Sequence, residues 1–224
     1  MSKDLPKPAA TPRSTPRLKV LLLRPLVATL VIVLVLAATW VALNPRSVSP
    51  PVGEAVASVG DGTGLEVAFD LVDHTGRPVT LQDFRGAPLL VVFGYTSCPD
   101  VCPTTLARLA SVLDGLESDG VAARGAFVTI DPARDTPEVL ADYVQAFHRN
   151  LSGLSGDEPH LRQATQSFRV FYEKVGDDAE DYLVNHSAYI YLLGPQSDLL
   201  SYYHPDLESD ALLADVRQRL DAQM

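Results

Sequence analysis

Sulfur is scarce in this sequence. Its 224 residues contain two methionines, which are the first and last residues, and two cysteines, Cys98 and Cys102. With no internal methionine, a site built from thioether ligands is excluded. No cysteine lies near the apolar N-terminal segment, so a lipid anchor on cysteine is excluded as well. All cysteine chemistry is therefore confined to one stretch, GYTSCPDVCP, from Gly94 to Pro103.

Basic residues are rare beyond residue 46. Residues 1–46 contain seven lysines and arginines and one acidic residue, whereas the rest of the chain contains 11 basic and 27 acidic residues. An acidic domain repels phosphate backbones. The composition therefore disfavours nucleic-acid binding and favours a basic protein partner or a cation.

Charged residues are missing altogether from Leu26 to Leu43. This run of 18 residues would span about 27 Å as a helix, close to the roughly 30 Å of a bilayer's hydrocarbon core. With the apolar Val20–Leu23 upstream, we predict a transmembrane anchor over residues 20–43. A cleaved signal peptide is the less favoured alternative, because its apolar core is shorter and no clear cleavage site follows.

Of the seven basic residues in 1–46, all but Arg46 precede the charge-free run that starts at Leu26. We therefore expect residues 1–19 to form a disordered cytoplasmic tail and the C-terminal domain to lie on the extracytoplasmic side. The proline-rich start does not resemble a mitochondrial transit peptide, which favours the bacterial inner membrane and a periplasmic domain. Residues 44–62 are rich in proline, glycine, serine and valine and are predicted to be a linker.

Residues 63–224 alternate between predicted strands and helices. A β-hairpin around Gly76 is followed by a β-α-β-α segment, a second hairpin and a terminal helix. The apolar run Ala87–Tyr95 is typical of a central strand covered on both faces. This order predicts an α/β, thioredoxin-like fold with an N-terminal β-hairpin extension, in which the cysteines follow the first central strand. Asp135 is predicted to cap the second helix.

The two cysteines could form a structural disulfide, a redox pair or part of a metal site. A structural disulfide is disfavoured, because a bridge between residues so close in sequence removes little chain entropy. Either Cys98 or Cys102 is predicted to cap the following helix, where the helix dipole lowers the pKa of a thiol. Their spacing, one residue wider than C-x-x-C, lets both sulfurs face one point and suits a soft ion such as Cu(I) or Zn(II).

A third ligand would have to come from a histidine. His186 immediately precedes the penultimate predicted strand, and in a thioredoxin-like fold that region packs against the cysteine loop. The other histidines are predicted to be surface residues, with His204 the next candidate. They are His74, His148, His160 and His204.

Three motifs follow one another in order: GYTSCPDVCPTTL, TIDPARDTPEVLADY and YLVNHSAYIYLLGP. From about Leu65 onward, the chain resembles the Sco (SenC) family of membrane-tethered, thioredoxin-fold copper proteins. The resemblance implies that copper, as Cu(I) and also Cu(II), is bound by Cys98, Cys102 and His186. It also implies delivery of copper or of reducing equivalents to the binuclear copper centre of cytochrome c oxidase subunit II. Asn185 departs from the family, which often has aspartate before the histidine, so the environment of the imidazole is altered.

Two functions remain open at this point. The first is a metallochaperone that loads copper into an oxidase and exchanges it with another periplasmic copper chaperone. The second is an enzyme, a thiol–disulfide oxidoreductase in which Cys98 and Cys102 are the redox pair, itself kept reduced by a thiol reductase. Peroxidase activity is least favoured, because Thr96-Ser97-Cys98 is one residue short of the usual Thr-x-x-Cys.

Overall fold

The computed structural model of the chain describes residues 65–176 and 182–223, together with Val33. The elements below all belong to the second of the two units into which the chain divides, Val56–Met224. The predicted tail, anchor and linker lie outside the described residues, apart from Val33. Within the part of the chain that is described, no helix is long and apolar enough to cross a membrane.

The described residues form nine strands and four α-helices. In chain order these are β1 (Asp70–Asp73), β2 (Pro78–Thr80), β3 (Leu89–Gly94), α1 (Val101–Ser118), β4 (Arg124–Thr129), α2 (Pro137–Gln145), β5 (Leu151–Ser155), α3 (Glu158–Ser167), β6 (Tyr172–Val175), β7 (Leu183–His186), β8 (Ile190–Leu193), β9 (Leu199–Tyr203) and α4 (Ser209–Asp221).

Seven strands form one mixed sheet in the order β2-β1-β5-β4-β3-β8-β9. The central pairs β3–β4 and β4–β5 are parallel, and the outer pairs are antiparallel. The two remaining strands, β6 and β7, form a separate antiparallel sheet. This is the predicted thioredoxin-like α/β architecture, with the β1–β2 hairpin as its N-terminal extension.

Strand β3 is buried along its whole length, as predicted for a central strand. Leu90 and Val92 pack into a core cluster with apolar residues of α1, α2 and α4. Val91 and Phe93 point the other way, into a cluster that includes residues of α3 and β7. Both faces of the sheet are therefore covered, and the carboxyl end of β3 delivers the cysteine loop to the edge of the core.

The region between α2 and β8 differs from the prediction. Strand β5 was not predicted, because LSGLS contains two serines and a glycine and is buried only through its pairing with β4 and β1. The segment EPHLRQATQSFRVFY, Glu158–Tyr172, predicts a helix over its whole length, but α3 ends at Ser167, and Arg169 has a φ of 55° that stops the helix. His186 is the last residue of its own strand, β7, rather than part of a loop.

The predicted cap of α2 was also wrong. Thr136 is the N-cap residue, and its hydroxyl accepts the N–H of Val139 at 3.4 Å. Pro137 occupies the first helical position, as expected. Asp135, one residue earlier, is only 1% exposed and turns into the protein instead.

Candidate metal centre

The fold brings Cys98, Cys102 and His186 together. Their ligating atoms, two sulfurs and an imidazole nitrogen, all lie within 4.8 Å of one another. The sulfur of Cys102 is 3.5 Å from Nε2 of His186, although the two residues are 84 positions apart in sequence. These are the three residues that the sequence singled out, and their arrangement could hold one metal ion.

Neither cysteine caps helix α1, contrary to the prediction. Asp100 is the N-cap residue, so Cys102 is the second residue of the helix and Cys98 lies in the preceding loop. The N–H of Cys98 donates to the carbonyl of Tyr95 at 3.2 Å, which folds this loop back toward β3. Pro103 is the third helical residue, where a missing N–H costs nothing because the first turn has no intrahelical acceptors.

The expected low thiol pKa is not found at Cys102. This side chain is 2% exposed, and its burial raises the pKa of the thiol well above its usual range. Desolvation therefore outweighs the attraction of the helix N-terminus for a thiolate. Without metal Cys102 is a neutral thiol at pH 7, and a bound cation would have to displace its proton. Cys98, at 9% exposed, is the more accessible of the two cysteines.

His186 is arranged as a neutral ligand. Its burial lowers the pKa of the imidazole, which disfavours the charged form that cannot bind metal. Nδ1 lies 3.1 Å from the carbonyl of Ser187, and we therefore assign the ring proton to Nδ1, which donates to that carbonyl. In this tautomer the lone pair of Nε2 faces Cys102. A backbone carbonyl thus orients the ring, as is common for metal-binding histidines. Asn185 is exposed on the opposite face of β7, so the departure from the family at this position does not touch the described orienting contact.

Two residues at the end of β3 fit the site closely, and sequence reasoning assigned neither a role in it. Gly94 faces Cys102 so tightly that a β-carbon there would lie 2.8 Å from the sulfur. Tyr95 was predicted to be a core residue and is indeed 2% exposed. Its hydroxyl also accepts the N–H of Val184 at 3.3 Å, and its ring meets that of His186 edge to face at 6.0 Å. Tyr95 therefore links the cysteine loop directly to β7.

The other histidines do not join this group of ligating atoms. His148 was predicted to be on the surface, but it is 7% exposed and its Nδ1 accepts the N–H of Asn150 at 3.0 Å. His74 also has a structural role, because its Nδ1 accepts the N–H of Gly153 at 3.1 Å. His160 and His204 are exposed as predicted, each beside an aspartate.

Atoms of Asp114, Glu117 and His148 form a second cluster with spacing suited to a metal ion. The bond from Asn150 places the lone pair of His148 on Nδ1, so Nε2 carries the proton; it lies 3.4 Å from a carboxylate oxygen of Asp114 without a hydrogen bond to it. Glu117 is paired with Arg149. The protonated Nε2 and the Glu117–Arg149 ion pair therefore make this cluster a poor metal site.

Comparisons with known proteins indicate the same family as the three sequence motifs. The sequence model of the SCO1/SenC family matches residues 59–221. The chain is 30% identical over 188 residues to the SCO2-like protein RT0576 of Rickettsia typhi, a match that covers 83% of this chain and 93% of the relative. It is 40% identical over 169 residues to the human mitochondrial protein SCO2 homolog, covering 74% of this chain and 62% of that relative.

A solved structure resembles the domain closely. The crystal structure of Arabidopsis thaliana ScoI with copper bound matches with a TM-score of 0.67 and 33% sequence identity, covering 70% of this chain and 99% of that chain. The match of the family model to most of the chain, and the similarity to RT0576 over most of that relative, confirm the resemblance seen in the three motifs. The chain belongs to the SCO1/SenC family.

Proposed function

We propose that this protein binds copper through Cys98, Cys102 and His186 and delivers it during assembly of cytochrome c oxidase, to the binuclear copper centre of subunit II. The observation that carries this proposal is the convergence of two unpaired sulfurs and one neutral imidazole within 4.8 Å. Thiolate is a soft donor and imidazole is a common copper ligand, so this set suits Cu(I) and not Mg²⁺ or Ca²⁺. Three protein ligands leave a copper ion open to attack by the ligands of an acceptor.

The burial of the site suits a carrier. A thiol that stays protonated until metal binds does not react readily with disulfides of other proteins, because the thiolate is the nucleophile in disulfide exchange. Cys102 is in this state, as its burial raises the pKa of its thiol. When copper leaves, Cys102 takes up a proton again. This reprotonation lowers the free energy of copper release, compared with release from a site whose thiols stay ionised.

We further propose that residues 20–43 anchor the protein in a bacterial inner membrane with the domain on the periplasmic side. The charge-free run of 18 residues and the excess of basic residues before it support this arrangement. Tethering would raise the concentration of the domain near a membrane-bound oxidase. Protease added to right-side-out spheroplasts should digest the domain, whereas protection of the domain would contradict this topology.

The competing proposal is a thiol–disulfide oxidoreductase. In that reaction the two thiols of Cys98 and Cys102 would become a disulfide, and a disulfide in subunit II would receive the two electrons and two protons. The proximity of the two free sulfurs supports it, and the more exposed Cys98 would be the attacking group.

Two mixtures separate these functions. In the first, copper-loaded full-length protein in detergent meets the metal-free, reduced copper domain of subunit II, and the visible spectrum of the binuclear centre is followed. In the second, copper-free protein meets the same domain with its cysteines oxidised, and acceptor thiols are counted. Our proposal predicts copper transfer in the first mixture that depends on Cys98. Thiol formation in the second without transfer in the first would establish the reductase instead.

A further inference from the structure

The three candidate ligands come from two separately hydrogen-bonded parts of the fold. Cys98 and Cys102 follow β3 of the large sheet, whereas His186 ends β7, which pairs with β6 in the small sheet. A metal centre shared by two sheets requires that their separation be fixed to a fraction of an ångström. Tyr95 links them directly, and a second connection runs through the turn between β4 and α2, residues 131–135.

One end of the 131–135 turn holds the cysteine loop. The buried carboxylate of Asp135 accepts the N–H of Thr96 at 3.1 Å and the hydroxyl of Thr96 at 2.5 Å. The oxygen that accepts the N–H of Thr96 also accepts the hydroxyl of Thr129, at the end of β4, at 2.5 Å. Because Thr96 lies two residues before Cys98, Asp135 fixes the start of the cysteine loop to the end of β4.

The other end of the turn holds the strand that carries His186. Asp131 is fully buried and accepts the hydroxyl of Tyr182 at 2.5 Å, and Tyr182 immediately precedes β7. Arg134 pairs with Asp131, donates to the carbonyl of Tyr182 at 3.0 Å and lies 3.7 Å from the centroid of the Tyr182 ring. Lys174 of β6 also donates to the hydroxyl of Tyr182, at 3.3 Å.

The two ends of the turn are coupled by its own backbone. The N–H of Asp135 donates to the carbonyl of Asp131 at 3.0 Å, and the N–H of Asp131 donates to the hydroxyl of Thr129 at 2.9 Å. The same hydroxyl of Thr129 donates to Asp135. These bonds hold the two ends of the turn at a fixed distance, so that each end can anchor its own part of the site.

We propose that the 131–135 turn is the positioning element of the metal centre, with Asp135 setting the cysteine loop and Asp131 setting β7. Neither aspartate is a ligand; each acts through a neighbour, Thr96 or Tyr182. This inference rests on the proposed function in one respect, namely that Cys98, Cys102 and His186 are the copper ligands.

The first test is Tyr182→Phe, which removes only the hydroxyl that binds Asp131. We expect it to weaken Cu(I) binding by full-length protein in detergent about tenfold, the effect of losing one hydrogen bond to a charged group. In a His186→Ala background it should change binding less than about twofold, because the position of β7 then no longer matters. Asp135→Asn should weaken binding in both backgrounds, since it acts on the cysteine loop.

Two pairs of variants separate positioning from general destabilisation. Thr96→Val removes the hydroxyl that binds Asp135 and should weaken binding, whereas Thr96→Ser keeps that hydroxyl and should retain the parent affinity. Tyr203→Phe is the matched control for Tyr182→Phe, because it removes a tyrosine–aspartate bond of 2.8 Å to Asp215, between β9 and α4. It should lower the melting temperature and leave copper affinity unchanged.

A readout without copper keeps this inference separate from the proposed function. In NMR spectra of the metal-free protein, Tyr182→Phe should broaden or shift the ring signals of His186, and Tyr203→Phe should not. Unchanged His186 signals, or an equal loss of affinity with and without the His186 side chain, would overturn the positioning role. A parent protein that binds no copper would instead refute the proposed function, and the NMR comparison would still decide the role of the turn.

Discussion

Gly94 and the sulfur of Cys102 are in such close contact that no side chain fits between them. A β-carbon at residue 94 would lie 2.8 Å from Sγ of Cys102 and 2.9 Å from Cε2 of Phe127. The glycine is therefore required by close approach at this end of β3, and the position of one candidate ligand depends on a residue with no side chain.

Gly94→Ala should consequently damage the metal centre more than the fold. The added methyl group must displace either the sulfur or the Phe127 ring. We expect the sulfur to move, because a single atom is displaced more easily than a packed aromatic ring. We expect copper affinity to fall about ten- to hundredfold, as for other changes in residues that position a metal ligand. The free energy of unfolding should fall by about 1–3 kcal/mol. Chelator competition and urea denaturation of the metal-free protein measure the two effects.

Gly125→Ala is a matched control for that change. A β-carbon at Gly125 would lie 2.7 Å from Leu151 and 3.0 Å from Leu109, in the core on the same face of the sheet but at the opposite end of the β3–β4 pair. It should cost similar stability and leave copper binding intact. If both variants lost stability alike and neither lost copper affinity, the contact between Gly94 and Cys102 would have no role in binding.

The stability of the metal-free protein should fall in mild alkali because of Cys102. Its burial raises the pKa of its thiol, so the folded chain keeps a proton that the unfolded chain loses above about pH 8.5. The stabilising contribution is complete below that pH and is lost as the pH rises, by up to about 1.4 kcal/mol per pH unit. Urea denaturation between pH 8 and 9.5, below the range where unfolded tyrosines titrate, should show this slope. In Cys102→Ala the slope should be reduced, and an equal slope in both proteins would assign the titration elsewhere.

Copper affinity should follow pH in the opposite direction. Binding to Cys102 displaces its proton, so the apparent affinity for Cu(I) should rise with pH, by about tenfold per pH unit for each proton that binding displaces. His186 should add little to this dependence above pH 6.5, because burial lowers the pKa of its imidazole and the ring is already neutral. A competition titration repeated from pH 6.5 to 8.5 measures the slope. A flat profile would show that Cys102 binds no metal or enters the site already ionised.

Asn185→Asp should have little effect on copper. The ring of His186 is oriented by the carbonyl of Ser187, and Asn185 is exposed on the other face of β7. A surface charge there should change Cu(I) affinity by less than about threefold. Chelator competition at two salt concentrations would check this, and a gain of tenfold or more would mean that residue 185 does control the imidazole. Substitution of the exposed His204 by alanine is the corresponding neutral control.

Much of the domain could be predicted from the sequence because its signals are local. The unbroken apolar run that contains β3 and the leucine spacing of α1 each reflect burial of one short segment. Strand β5 carries no such signal, since it becomes a strand only through its neighbours β4 and β1. The caps were wrong for a related reason. Asp135 and Thr136 are both residue types that favour the N-cap position. Because Asp135 binds Thr96 and Thr129 inside the protein, Thr136 is left to cap the helix.

The sequence correctly predicted that Cys98, Cys102 and His186 lie together, but the low pKa expected for the cysteine thiols was wrong for Cys102. Cysteine spacing and the position of His186 near a strand are readable features, whereas the pKa of the Cys102 thiol depends on how deeply the second residue of α1 is buried. Gly94 gave a weak signal, as a glycine at the end of a bulky strand just before a cysteine motif. Tyr182 gave none, because its bond to Asp131 joins residues 51 positions apart.

The most direct measurement is a Cu(I) titration of the reduced full-length protein in detergent against a competing chelator, with Cys98→Ser, Cys102→Ser and His186→Ala beside the parent. We predict tight binding of one copper per chain that each of the three substitutions weakens, while His204→Ala binds like the parent. Binding that is weak in the parent, or equally tight after replacement of His186, would contradict the three-ligand copper site.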